Sequence, residues 1–521
     1  MDSSKDMNWD SVLFSMMESR KDCIAREGKN TVYCVCNITH CDDLDPVVRQ
    51  PAGKVLVFET NKRGDRLKQR ELKVSTESAH ISEDSIVLTI DKNTKYQKII
   101  GFGGAFTDAS GLNLNSLPPE LAQNVIKDYF SATGIEYSMG RVPIAGADFS
   151  SRPYTYNDQK DDFELKTFQL QKEDFDYKMP YIKLARSVSP HKLTLFASPW
   201  GAPGWMKTNG HLYGGGQLIG NPGEKYYKTW ANYFVKFLDA YKSHGIEFWG
   251  LTIENEPEVG FIKDYKFNCL ALNATLERDF VKLDLGPALT RAGYGRDKLN
   301  LILFDDSRQY MIDWLDTCFS DKESAKYING IAYHCYGNSF TNWDILETVH
   351  QRHPDQFVIS TECCQAFNIL SPGTVVNLGV WEQAEFYTKD IMMNLQHWTR
   401  GWVEWNLVLD MYGQPNWAKY SSEAPLLVNS TAKEYYKDSK FYILGQFSKF
   451  LAPDSQRVSI KADKTVNDFN SVAFVRPDNS TVVIVYNLSD NPTNLVIKDQ
   501  SVGLINTKIE ARSLQTYIYW N

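Results

Sequence analysis

Long hydrophobic runs are missing from this chain. No apolar stretch approaches the roughly 20 residues that a membrane-crossing helix needs, so no transmembrane segment is expected. Basic clusters are missing too. Lys and Arg total 56 against 64 Asp and Glu, a net charge of −8, and no Lys/Arg-rich run stands out, which argues against an electrostatic nucleic-acid binder. The N-terminus, MDSSKDMNWDSVLFSMMESRKDC, has no basic start, apolar block or small-residue cleavage site, the parts of a secretory leader. There is no internal repeat and no low-complexity tract. Paired C-x-x-C spacing is absent from CVCNITHC, which excludes a zinc ribbon. GFGGAF fails the dinucleotide fingerprint because Phe106 stands at the third glycine position. No cofactor and no metal are therefore expected.

What is present is a folded, soluble composition: 43% apolar and 23% charged in 521 residues. Domain-size priors put two or three domains in such a length, although barrels run larger. Four of the nine cysteines sit together, Cys23, Cys34, Cys36 and Cys41. Two local disulfides, Cys23–Cys34 and Cys36–Cys41, are the preferred reading, with other pairings left open. Five N-x-S/T sequons, at Asn37, Asn273, Asn429, Asn479 and Asn487, lean the same way, toward a secretory route. The expectation is that the true leader is missing or replaced in this version of the chain. Cys335 fits nothing nearby, Cys363 and Cys364 default to buried inert thiols, and Cys269 and Cys318 carry no signal.

After residue 95 strand-like and helical segments alternate. Eight β-branched or aromatic runs occur, at 99–106, 135–149, 192–200, 246–257, 299–307, 328–337, 357–364 and 401–409. Helical patterns lie between them, at 118–130, 224–244, 380–397 and 435–450. In 224–244, Trp230, Tyr233, Phe234, Phe237, Leu238 and Tyr241 form one apolar stripe. Eight β/α units predict a closed (β/α)8 TIM barrel; an open doubly wound sheet is the rival. Short strands with turn signals from 456 onward predict a β-sandwich. The strand-like segment 53–95 would complete it, so that the barrel is inserted in an all-β domain.

Active sites of such barrels sit at the C-terminal ends of the strands. Polar groups there are Asp148, Trp200, Asn255, Glu256, His334, Tyr336, Glu362, Trp405 and Asn406. Glu256 ends the fourth run and Glu362 the seventh. Pro257 is expected to hold Glu256 in extended backbone. Two carboxylates facing across a pocket are the equipment of glycoside hydrolysis. Their mutual repulsion leads to the expectation that Glu256 holds its proton to higher pH than Glu362. Glu254 and Glu258, in the same LTIENEPEVG stretch, read as structural or solvated. Trp200 and Trp405 could equally be core residues, and His334 a plain hydrogen-bonding histidine.

ENEP on the fourth strand and TEC on the seventh resemble the signature of retaining barrel glycosidases. Collinear stretches extend the match nearly end to end: CVCNITHCDDLDP, GFGGAFTDA, YTYNDQKDDFEL, ASPWGAPGWMKTNG, WNLVLD and FSKFLAPDSQRV. The chain resembles the lysosomal acid β-glucosylceramidases of glycoside hydrolase family 30. The resemblance implies a retaining β-glucosidase acting on glucosylceramide, with Glu256 as acid/base and Glu362 as nucleophile. By the same match, Asp148, Trp200, Asn255, Trp405 and Asn416 hold the glucose, His334 and Tyr336 stand behind and beside the site, and Tyr265 and Phe267 line its mouth. It also implies a lysosomal location, an anionic lipid surface and a saposin-type activator. The expected organisation is a disulfide-bearing region at 1–47, joined by 406–435 to a small β-sheet; a β-sandwich of 48–95 and 451–521; and a catalytic barrel of 96–405 and 436–450. The alternatives are another retaining β-glycosidase of the same clan and a glycolipid-binding protein without turnover.

The chain departs from the family at Cys335, where a Trp is usual and a wall of the pocket would open, and at Glu258, where a small residue is usual. It also departs at Cys363 and Cys364, beside the nucleophile, and in the loop 365–377. Phe367, Ile369, Leu370, Val375 and Val376 cluster in that loop, which is expected to help admit a lipid.

Overall fold

The computed structural model describes residues 20–75, 82–365 and 376–521. Phe367, Ile369, Leu370 and Val375 of the apolar loop lie outside the described residues. Eight parallel strands close into a barrel: Gly101–Ala105, Met139–Ile144, Thr194–Pro199, Gly250–Thr252, Asn300–Ser307, Ile328–His334, Phe357–Glu362 and Thr399–Asn406. The first seven fall inside the runs read from the sequence, and the eighth begins two residues before its run, 401–409. The eighth pairs with the first, Gly401 opposite Gly101 and Val403 opposite Gly103, so the sheet has no edge and the open-sheet rival is excluded. The glycines of the first strand permit this closure. A Cβ on Gly103 would lie 2.1 Å from the Met139 carbonyl oxygen.

The chain enters and leaves the barrel through one nine-stranded sheet. Lys54–Asn61, Lys68–Lys73 and Ile86–Lys98 precede the barrel, and six strands between Gln456 and Tyr519 follow it. Its edges approach through a bridge between Ser75 and Leu504. The strand period of two divides its apolar residues. Val55, Val57, Val483, Val485 and Tyr517 pack inside the sandwich. Leu56, Phe58, Val482, Ile484 and Ile518 face the other way, into the core shared with the barrel. Burial on both faces is why these strands read as unbroken apolar runs.

A five-stranded sheet joins Ala25–Glu27 and Val32–Cys36 to Glu434–Lys437, Leu426–Asn429 and Val408–Asp410. Cys23 is bonded to Cys34, and Cys36 to Cys41. One expected helix needs correction. Of 435–450, only Ser439–Ser448 is helical, and Glu434–Lys437 is a strand paired with Val32–Cys36. The Asp438 side chain accepts from the Ser439 N–H and starts the helix there.

The helix Lys225–Ser243 buries the predicted stripe against the barrel, and Gly245, at φ +78°, follows its end. Phe237 is fully enclosed. Phe237→Ala should lower stability by about 3–5 kcal/mol through lost burial and the residual cavity. Urea unfolding would show this as a lower midpoint with an unchanged slope.

Candidate active site

The carboxyl ends of the barrel strands frame a cavity of about 480 Å³. Glu256, Glu362, Asp148, Asn255, Trp200, Trp405, Tyr265, Phe267 and Tyr336 all line it. His334 is fully buried behind it. Asn416 is not on the wall: it is buried in the turn after the eighth strand, its N–H donating to Gln414 Oε1 at 3.0 Å. Glu258 also stays off the wall, and its N–H donates to Asp306 Oδ2 at 3.2 Å. Val376, the described apolar residue of the loop, packs half-buried against the cluster that holds Trp405.

Glu256 does not adopt the extended backbone expected before Pro257. It has φ 46° and ψ 58°, a left-handed conformation. Two bonds to neighbouring strands force the turn: the Asn255 N–H donates to the Pro199 carbonyl, and the Glu256 N–H to the Asp305 carbonyl at 3.0 Å. Pro257 then opens a short 3-10 helix to Phe261. Proline biases the residue before it toward extended backbone, so the two bonds act against a local preference. Left-handed backbone at a residue other than glycine costs of order 1–3 kcal/mol and persists where its surroundings over-determine it.

Sequence reasoning missed the group that binds the site together. Arg141, a lone charge inside the apolar second strand, has no exposed surface. Its guanidinium donates to Glu362 Oε2, to Asn255 Oδ1 at 2.8 Å and to Asp305 Oδ2 at 2.8 Å. It also lies over the Trp200 ring, 4.7 Å from its centre, while Trp200 and Trp405 stack at 5.0 Å. Asp305 further accepts from His334 Nε2 at 3.2 Å, Thr252 Oγ1 at 2.7 Å and Thr361 Oγ1 at 2.5 Å. Despite burial, these partners hold Asp305 well below the usual carboxylate range. The available signals were an Arg in an apolar strand and an Asp at a strand end.

His334 is pushed up to about 10: burial opposes its charge, but Glu362, Asp305 and Glu256 outweigh it. Its two ring nitrogens therefore both donate, Nδ1 to Glu256 Oε1 at 3.0 Å and Nε2 to Asp305. Glu256, His334 and Glu362 each bring one donor atom within 4.8 Å of the others. An imidazolium with both nitrogens so engaged has no lone pair for a metal.

Tyr336 Oη donates to Glu362 Oε1 at 2.7 Å. Glu362 side-chain exposure is 7%, against 16% for Glu256. Burial raises the Glu362 carboxyl above its ordinary value, while His334 and Arg141 pull it down. Asp148 is raised to about 8 by burial; Tyr420 donates to its Oδ2, and its Oδ1 has no partner among the described residues. Glu254 is fully buried, and neither of its oxygens has a partner among the described residues. Desolvation drives its carboxyl well above the usual range.

The cysteine expectations need one correction. Cys335 and Cys363 are bonded to each other across the tips of the sixth and seventh strands, with Cα atoms 5.2 Å apart. Separation by 28 residues hid the pair, which the fold alone brings together. Cys269, Cys318 and Cys364 are free and buried. Among the sequons, Asn487 is enclosed, and its Nδ2 donates to the carbonyls of Asn491 and Glu510.

A parallel barrel with two acidic side chains across an aromatic-walled cavity defines a glycoside hydrolase. Comparison with known proteins gives the family. The glycosyl hydrolase family 30 TIM-barrel domain matches residues 99–451, and the family 30 β-sandwich domain matches 454–517; the chain belongs to this family. It is 40% identical over 499 residues to the lysosomal acid glucosylceramidase of Mus musculus, covering 95% of each chain. It is 38% identical over 509 residues to putative glucosylceramidase 4 of Caenorhabditis elegans, covering 97% of this chain and 96% of that one. Among solved structures, SrfJ from Salmonella typhimurium superimposes with a TM-score of 0.80 at 26% identity, over 90% of this chain and all of SrfJ.

For chemistry that uses Glu362 as a carboxylate, Tyr336→Phe removes a donor that favours the charged form. The carboxyl pKa, already raised, moves further up. Activity is lost as pH falls through it, so the acid limb of the pH–rate profile should shift to higher pH. Hydrogen bonds to charged groups contribute about 1.5–3 kcal/mol, so kcat/KM on that limb should drop about tenfold or more. A pH series on wild type and variant checks the direction.

Proposed function

We propose that the protein is a retaining β-glucosidase that hydrolyses glucosylceramide to glucose and ceramide through a covalent glucosyl-enzyme. The observation that carries this reading is the Glu256–Glu362 pair, with a carboxylate oxygen of each within 4.8 Å of the other in the same cavity. Retaining pairs lie about 5–5.5 Å apart, whereas inverting pairs need roughly 6.5–9.5 Å to admit water. The lipid substrate rests on the names of the relatives.

In this mechanism a Glu362 oxygen attacks the anomeric carbon as the bond to the ceramide oxygen breaks. Arg141 and Tyr336 aim the attacking carboxylate. Glu256 gives its proton to the departing oxygen. Its Oε1 accepts from charged His334, so that proton belongs on Oε2. Glu256 then takes a proton from water, which attacks the same carbon and frees Glu362. Trp200 and Trp405 supply faces for the sugar, and Asp148, whose Oδ1 has no partner among the described residues, a polar group for a hydroxyl. With its carbonyl taken by Arg141, Asn255 has its NH2 group to donate.

A lipid must reach this cavity from a surface. Tyr213, Phe261, Ile262, Tyr310, Phe340 and Tyr412 are exposed, and each lies on a loop that follows a barrel strand. Among the described residues no helix is long and apolar enough to cross a membrane. Apolar loops around the mouth fit an enzyme that works against a lipid surface. The anionic character of that surface and a saposin-type activator rest on the resemblance alone. Lysosomal residence by the secretory route is supported by the mouse relative's name and by three disulfides, bonds that persist in oxidising compartments. Asn37, Asn273, Asn429 and Asn479 remain candidate glycan acceptors.

A fluorogenic β-glucoside assayed at acidic pH separates turnover from binding alone. NMR of the first-formed sugar should then show β-glucose; α-glucose appearing first would overturn retention.

Glu256→Ala should still form the glucosyl-enzyme from an activated aryl glucoside, yet lose about 10²–10⁴-fold on the lipid, whose alkoxide leaves poorly unless protonated. Azide should speed its turnover and give the β-glucosyl azide. Glu362→Ala should fail on both substrates, with azide giving the α product. A Glu254→Ala variant that showed the leaving-group dependence would move the acid two residues.

A further inference from the structure

We propose that the Cys335–Cys363 disulfide is a positioning element of the active site, holding the two carboxylates and the leaving-group wall in register. This rests on the hydrolase reading above.

Cys335 follows His334, which bonds Glu256, and Cys363 follows Glu362. His334 and Glu362 are themselves register partners at the end of the sixth and seventh strands. The pairing shifts just before them: Tyr333 opposes Ser360, His334 opposes Glu362, and Thr361 is extra. An extra residue re-aims the side chains that follow it, because neighbours in a strand point to opposite faces. The disulfide joins the first residues beyond this irregular pair. It closes the ladder covalently where its hydrogen bonds stop, and so fixes the shifted register.

Both flanks of the bond are cavity wall. Cys335 opens the short turn to Phe340, which places Tyr336, Asn338 and Ser339 on the lining. Cys363 leads into Cys364 and Gln365, also on the lining. Cys335 is 3% exposed and Cys363 fully enclosed, so the bond is shielded from solvent thiols and acts as a fixed part rather than an exposed one. Where a free thiol at Cys335 would leave the wall open, the cystine ties it to the nucleophile's own strand. Glu362 needs such restraint. Its carboxylate is oriented by Arg141 from the second strand and by Tyr336 from the turn that Cys335 begins. If the sixth and seventh tips slide, the Tyr336 and His334 contacts move relative to Glu362 and Glu256 together. A displacement of about 1 Å at a reacting group costs on the order of 10²-fold in rate.

The first test is a thiol count on the denatured, unreduced enzyme. Three titratable thiols are expected from Cys269, Cys318 and Cys364; five would mean that the bond is absent and would overturn the proposal. The second compares wild type with Cys335→Ala/Cys363→Ala, and with Cys335→Val/Cys363→Ala should the first pair fold poorly. The expected result, per folded molecule, is a kcat on a soluble aryl glucoside lower by about 10–100-fold, KM changed by less than about threefold, and a displaced acid limb. A variant with lowered Tm but unchanged kcat and pH profile would reduce the bond to a structural staple and overturn its positioning role. Failure of the hydrolase reading is distinct, because wild type itself would then turn over no β-glucoside.

Discussion

A buried negative charge organises this molecule. Asp305 has no exposed surface, yet it stays ionised because Arg141, His334, Thr252, Ser198 and Thr361 all donate to it. Those donors come from the second, third, fourth, sixth and seventh barrel strands. An unpaired carboxylate at such depth would be prohibitive, and its pairing is worthwhile only with near-complete hydrogen bonding. Burying Asp305 therefore constrains five other strands at once.

The two carboxyl groups at the cavity are held by the remaining capacity of the same donors. Arg141 spends one edge on Asp305 and reaches Glu362 and Asn255 with the rest. His334 gives one N–H to Asp305 and the other to Glu256. Two buried cations, Arg141 and His334, thus stand among Asp305, Glu362 and Glu256 and hold all three carboxyl groups. Glu254 stands outside this network: no side chain among the described residues donates to it.

Much of this was legible beforehand. Eight β-branched runs alternating with amphipathic helices specified the closed barrel, and its topology put strand ends at the site, so Glu256, Glu362, Asp148, Trp200 and Trp405 could be picked out. Arg141 could not, because an arginine inside an apolar run carries no label for what it meets across a barrel. Asn416 matched a family position, but matching says nothing of which way a turn points its side chain. Asn487 bears a sequon that the surrounding strands enclose.

The sequence by itself determined the periodicities, and with them the architecture and the strand ends at which chemistry could occur. It also picked out the carboxyl pair Glu256 and Glu362 at two of those ends, which the structure brings to one cavity. Only the tertiary structure decided which charges share a dielectric, which backbone is left-handed and which cysteines meet. Cys335 and Cys363 pair, although 28 residues and a helix separate them, because parallel neighbouring strands end side by side. Glu256 turns left-handed against the local bias of Pro257 because two inter-strand hydrogen bonds outweigh it. Propensity acts over a few residues, whereas these outcomes depend on distances that exist only once the barrel has closed.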